Sequence, residues 1–269
     1  MRRVALGALV AMAGASCVGT TGGELVSFRA AAAGPSNARN GEPLQFTTDS
    51  GWQVVLTKAT LHIGALYLNQ SIPVSGSQGT NCILPGTYVA QVTSGRDVDL
   101  LSPDPQLFPS EGEGTTFPPA LVGQVWLTGG DVNASVDTTS ILALVGTAAQ
   151  SGTTLPFTAN ITVGANRQSS GSVLAGASPI CKERIVSPIP TSVVVGTTGG
   201  LLLRVDPRFL FLNVDFRALT KSSGTYSFSD DPNSAGYTQP SRNLYQNLHS
   251  SGVLGQSASL YTFSWTASL

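Results

Sequence analysis

Asp97 and Asp99, two positions apart, are the first residues whose types and spacing could do chemistry. In an extended chain both side chains point to one face. Paired carboxylates there could hold Ca²⁺ or supply the acid and base of a carboxylate-dependent hydrolase. Solvated charges at a strand end would give the same pattern. A second acidic cluster, Asp230, Asp231 and Asn233 ahead of Gly236, begins like a calcium loop. Pro232 interrupts it, Ala235 stands where a ligand belongs, and Arg242 occupies the place of the closing glutamate, so an EF-hand is excluded and an irregular oxygen site remains. With His62 and His249 as the only histidines, a His-rich metal centre is excluded and a Ser-His-Asp triad would have to use one of the two. G-x-S-x-G, H-E-x-x-H, P-loop and G-x-G-x-x-G motifs do not occur. Asp206, Arg208, Asp215 and Arg217 bracket the apolar run Phe209 to Val214 and predict two ion pairs that fix a corner of the fold. The expectation is no catalytic residue and no cofactor, with Asp97, Asp99, Asp230 and Asp231 as the candidate metal ligands.

The N-terminus carries an address. Arg2 and Arg3 precede an uncharged run from Val4 to Ala13, then Gly14, Ala15, Ser16 and Cys17. A basic start, a short apolar stretch and small residues at the cut define a secretory signal over residues 1–16. The run is too short to span a bilayer, which takes about 20 apolar residues. Small residues ending in cysteine resemble the lipobox of bacterial lipoproteins, with Gly14 where leucine is usual. That resemblance implies that Cys17 is acylated and becomes the first residue of the mature chain, and Val18 after it implies release to the outer membrane. A cut after Ala13 or Ala15 without lipid is the alternative.

Cysteine arithmetic follows from the anchor. With Cys17 acylated, Cys82 and Cys181 remain as an even pair in an oxidising compartment and are expected to form one disulfide. Closing a loop of that length would stabilise the fold by roughly 4 to 5 kcal/mol in the chain-entropy model. Two separate buried thiols are the other reading. Met1 and Met12 both fall in the leader, so the mature chain has no thioether to bind Cu(I).

The elements that must position these residues read as short strands. The chain of 269 residues is 41% hydrophobic and only 11% charged, enough apolar material for a large core under a thinly charged surface. With 30 Gly and 16 Pro, turns are frequent. Trp52, Val54 and Leu56 alternate with Gln53, Val55 and Thr57, and Leu61, Ile63, Ala65 and Tyr67 are expected on one face with Gly64 as a bulge or bend. Further strands are expected at Tyr88 to Val92, Val98 to Leu101, Leu121 to Leu127, Ile141 to Ala148, Leu155 to Val163, Ser192 to Val195, Leu201 to Val205 and Ser259 to Trp265. Ser151, Gly152 and Thr153 read as a hairpin turn. Two short helices are expected, one from Ser241 past Leu248 and one opened by Asp206 and Pro207. The Gly- and Ala-rich stretch 17–41 reads as a flexible tether after the anchor cysteine, an early strand through Leu25, Val26 and Phe28 being the alternative. Ser102 to Ala120, with five prolines, reads as a long exposed loop. The fold class is all-β, an antiparallel β-sandwich over residues 42–269 with long loops and one or two short helices.

With 14 basic and 15 acidic residues the net charge is -1, which supplies no basic groove for nucleic acid. Three stretches, F-T-T-D-S-G-W-Q-V-V-L-T-K-A-T-L-H-I-G from Phe46, V-D-P-R-F-L-F-L-N-V-D-F from Val205 and Y-T-F-S-W from Tyr261, resemble segments of uncharacterised bacterial envelope lipoproteins. A fainter similarity is to periplasmic methanobactin-associated partner proteins, copper-handling β-rich domains whose tryptophan and Cys-Met features are not matched. The missing catalytic motifs and the tether point to a non-catalytic binding or structural protein of the cell envelope, held to the membrane through its N-terminal lipid and facing a protein or glycan partner. The alternatives are a periplasmic copper or calcium protein and a carboxylate-dependent hydrolase.

Overall fold

Alternation of apolar and polar residues from Gln53 to Ile63 builds the strand on which half of the molecule is assembled. The computed structural model describes residues 22–72, 86–128, 138–163, 183–250 and 259–269. In it Trp52, Val54, Leu56, Leu61 and Ile63 are buried, as the pattern predicts. The buried phase moves from Leu56 to Ala59, an odd step, because the pairing with the neighbouring strand slips by one residue at Thr57 and Lys58. That slip is a β-bulge, and it keeps both halves of the strand facing the core.

Gly64 is where the chain leaves one sheet for the other. Residues Gln53–Ile63 (β3) lie in a seven-stranded sheet and Ala65–Asn69 (β4) in a nine-stranded one. The crossing inverts the expected face: Leu66 and Leu68 enter the core, while Tyr67 is left half-buried on the other side.

Around β3 the seven-stranded sheet runs Thr220–Ser222 (β14), Thr225–Phe228 (β15), Thr153–Thr162 (β11), Ser140–Gln150 (β10), β3 and Leu44–Thr47 (β2), with Arg96–Asp99 (β6) also on β3. β10 and β11 form the predicted hairpin, turning through Ser151 (φ 51°) and Gly152 (φ 76°) between Gln150 and Thr153. Two successive positive φ values make the tight turn that matches strand twist, and glycine adopts one of them without cost.

The other sheet runs Ile185–Val193 (β12), Ala120–Trp126 (β9), β4, Tyr88–Val92 (β5), Gly112–Thr115 (β8), Leu25–Ala33 (β1), Gly200–Val205 (β13) and Tyr261–Thr266 (β16), with Gln106–Leu107 (β7) on β1. Its outer strands β12 and β16 come back together, so the sheet is nearly closed. At the seam a Cβ on Gly123 would sit 2.2 Å from the Phe263 ring, a contact only glycine permits. The all-β sandwich is thus observed, with a correction to its strand sense. β1 runs parallel to β13 and β11 parallel to β15, amid otherwise antiparallel pairs.

Two further expectations are corrected. The stretch read as a tether holds β1, a central strand whose Ala30 to Ala33 are buried. Small side chains there let neighbouring layers approach closely, which composition alone presents as flexibility. Ser102 to Ala120 is not one loop, since it contributes β7 and β8 and its Phe117–Pro118 peptide is cis.

Both helical expectations are met in kind. Gln239–Leu248 (α1) starts two residues earlier than expected, with Pro240 in its first turn. Pro207–Phe211 is a short 3-10 helix capped by Asp206. Between the sheets Trp52, Phe157, Phe211, Phe216 and Phe228 pack ring against ring, with Phe157 4.9 Å from Phe216 and Trp52 5.3 Å from it. No helix among the described residues is long and apolar enough to cross a membrane.

Candidate functional site

At the corner where β13 ends and its chain turns into the 3-10 helix, the two sheets part and leave an open cleft of about 460 Å³. Strand geometry explains its position. β13 delivers Arg204 and Asp206, the helix turns Arg208 and Phe209 inward, β2 supplies Phe46 and Asp49 follows it, and the start of β16 supplies Thr262. The three stretches quoted above, from Phe46, Val205 and Tyr261, are far apart in sequence and converge here.

Asp206 is the centre of the polar wall. Its carboxylate accepts the backbone N–H of Arg208 at 3.1 Å, closing the helix N-terminus. It also receives the Arg208 guanidinium, Nε at 2.8 Å and Nη2 at 2.6 Å, a two-pronged charge-assisted pair. Nη2 reaches on to Asn37 Oδ1 at 3.3 Å. The hydrogen bond to Asp206 raises the Arg208 pKa, and this outweighs partial burial, which lowers it. Arg208 therefore stays charged at every physiological pH.

Arg204 differs. Its Nη1 donates to two backbone carbonyls, Gly34 at 2.9 Å and Pro103 at 3.2 Å, and among the described residues it has no carboxylate within ion-pair distance. Asp49 across the cleft is held by backbone N–H groups of Ser50, at 2.9 Å, and Asn213, at 3.1 Å. The same cleft is lined by Phe46, Phe209, Phe211 and Leu212, with Phe46 and Phe211 5.6 Å apart. Every charged group is fixed by the fold before any ligand arrives, which lowers the ordering cost of binding. The arrangement suits a small molecule with a flat or aliphatic body and a hydrogen-bonding, anionic head.

The residues nominated from sequence are not brought together. Asp97 and Asp99 both lie on β6 at the edge of the seven-stranded sheet, and both are exposed. Asp97 Oδ1 lies 2.7 Å from His62 Nδ1 on the adjacent strand, so His62 is half of a surface pair. Asp99 caps a turn, accepting Leu101 N–H at 2.9 Å. Asp230 binds the backbone N–H and hydroxyl of Thr162, at 2.8 and 2.6 Å, tying the β15 exit to β11. Asp231 accepts Asn233 N–H, a local turn. His249 follows α1, with its ring nitrogens against the carbonyls of Tyr245 and Glu183. Asp99, Asp230 and Asp231 hold backbone and Asp97 faces His62, and among the described residues no group of three His, Cys, Asp or Glu could hold a metal ion. Cys17, Cys82 and Cys181 lie outside the described residues.

Of the two ion pairs expected around Phe209 to Val214, one forms. Asp215 accepts the Arg217 backbone N–H as a cap, but the Arg217 guanidinium lies over the Trp52 ring, 5.1 Å from its centroid. Sequence reasoning therefore found the Asp206 and Arg208 pair and read it as structural. It missed the cleft because Arg204, Asp49 and Phe46 carry no local signal; only the sheet crossing places them together.

No family model matches the chain, and no curated protein matches it. Among solved structures the chain is similar to MbnP from Methylosinus trichosporium, at 10% identity over 91% of this chain and 99% of that one, with a TM-score of 0.41. This is in keeping with the faint similarity noted from sequence, and a TM-score of that size carries no argument about function.

Proposed function

We propose that the chain is an exported, lipid-anchored, non-catalytic binding protein of the bacterial cell envelope, and that its ligand sits in the corner cleft. The observation that carries the reading is one open cleft lined both by arginines held in place by the fold and by aromatic rings. Arg204, whose charge faces no carboxylate, would take the anionic head, and Phe46 and Phe209 would take the body. The leader and Cys17 support export and anchoring. A disulfide between Cys82 and Cys181 belongs to the same reading.

Saturation-transfer NMR with two probe sets, aromatic and medium-chain carboxylates on one side and short cell-wall glycans on the other, tests the site. The expected result is transfer to the carboxylates, reduced about tenfold or more by Arg204→Gln and by Phe209→Ala, since a hydrogen bond to a charged group contributes about 1.5 to 3 kcal/mol. Transfer to the glycans alone would replace the ligand class. Turnover of ester, glycoside or phosphate substrates that is lost in Asp97→Asn or Asp99→Asn would overturn the non-catalytic reading.

A further inference from the structure

Among the described residues seven large apolar side chains are exposed, and five of them, Leu25, Ile72, Phe117, Leu121 and Val194, are between 52% and 62% exposed. Strand register puts all five at the same end of the nine-stranded sheet. Leu25 opens β1 opposite Thr115, two residues before Phe117. Leu121 begins β9 beside the Ala120 and Val193 pair, next to Val194. Ile72 follows β4, whose last residue Asn69 pairs with Val122 and Tyr88 at that end. β13 starts and β16 finishes there as well, bringing half-buried Trp265 to the same rim, edge-on to Phe28 with its Nε1–H donating to Thr198 O.

We propose that this rim rests in the interface of the bilayer that holds the Cys17 lipid. A cluster of exposed apolar side chains marks a surface with an occupant, and the chain itself indicates which one. The rim is where the N-terminal segment enters the fold, at Gly22, and Cys17 is eight residues before Leu25. Eight residues reach at most about 27 Å, so an acyl chain on Cys17 keeps this end, and not the cleft, against the membrane. Aliphatic, phenyl and indole side chains are the types that partition into that interface. The charged groups that the register brings to this end are Glu24, beside Leu25, and Arg29, opposite Gly200 and donating to the Leu269 carbonyl, with no cluster of Lys or Arg, so the contact is mainly apolar and does not depend on anionic lipid. This proposal rests on the anchored reading given above, and its test separates the two.

The test uses the full chain in cells, with a photo-reactive benzophenone amino acid placed in turn at Phe117, Leu121, Val145 and Leu212, the last two being exposed apolar positions away from the rim. Intact mass before irradiation reports acylation of Cys17, and the mass gained on irradiation reports the neighbour. The expected result is a phospholipid adduct at Phe117 and Leu121 in at least tenfold higher yield than at Val145 and Leu212, unchanged in 1 M salt. Equal yields at all four positions, or a protein adduct at Phe117 and Leu121, would overturn the proposal. A chain without acyl groups overturns the anchor reading alone if the rim adducts persist, and both readings if they vanish.

Discussion

Replacing Asp206 separates two contributions that the structure superimposes on one carboxylate. The side chain caps the 3-10 helix through the Arg208 N–H and pairs with the Arg208 guanidinium. A cap of this kind contributes about 1 kcal/mol. The pair contributes roughly 0.5 to 1 kcal/mol, because Arg208 is 36% exposed and water screens it. Asp206→Ala removes both and is expected to destabilise the fold by about 1.5 to 2 kcal/mol. Asp206→Asn keeps an oxygen for the cap and is expected to cost roughly 0.5 to 1 kcal/mol, as is Arg208→Gln. For a domain of this size about 2 to 4 °C accompanies each kcal/mol, so the alanine variant should melt about 3 to 8 °C lower and the other two about 1 to 4 °C lower. Urea unfolding followed by tryptophan fluorescence gives the free energies, provided that the slope with denaturant is unchanged. If Asp206→Ala were no worse than Asp206→Asn, the cap would contribute nothing and the reasoning would fail.

Other perturbations test the core, the linkage to pH and the cysteines. Phe157 is 1% exposed and touches three rings, so Phe157→Ala should cost about 3 to 5 kcal/mol in the same unfolding assay; a loss under 1 kcal/mol would mean that the aromatic cluster is not packed as described. Tyr261 is fully buried, with its hydroxyl donating to Leu248 O at 3.0 Å, and burial raises its pKa far above the ordinary phenol value. The unfolded chain then releases that proton first, so the stability it contributes is complete below about pH 10 and falls by about 1.4 kcal/mol per pH unit above it. Stability measured from pH 9 to 11 should show this slope, and Tyr261→Phe, though less stable at pH 8, should flatten it. Alkylation of the unfolded chain should add two labels at Cys82 and Cys181 only after reduction; labelling without reductant would exclude the disulfide.

Much of the fold was legible because β-sheets write their pattern locally. The alternation from Trp52 to Ile63, the Ser151–Gly152 turn and the Asp206–Pro207 cap each depend on neighbours within a few residues, and each is found as read. β1 was hidden because Ala30 to Ala33 have no alternation, being buried in a strand with partners on both edges. β12 was recognised only at its end, since Pro188 and Pro190 argue against a strand; it tolerates them as an outer strand with one ladder partner, β9. The cleft was the least legible feature. Arg204, Asp206 and Arg208 are neighbours in sequence, but Phe46 and Asp49 reach them only through the passage of the chain from β1 in one sheet to β2 in the other and through the parallel pairing of β1 with β13. The carboxylates close together in sequence are engaged separately, Asp97 with His62, Asp99 and Asp231 in turns and Asp230 in a strand contact.

Native mass spectrometry of the protein isolated from envelopes tests the binding claim most directly. The account predicts a single small molecule held non-covalently, one per chain, and absent from the Arg204→Gln, Phe209→Ala double variant. A wild-type chain that carries nothing and takes up nothing from an envelope extract, or one whose bound molecule survives in the double variant, would contradict it.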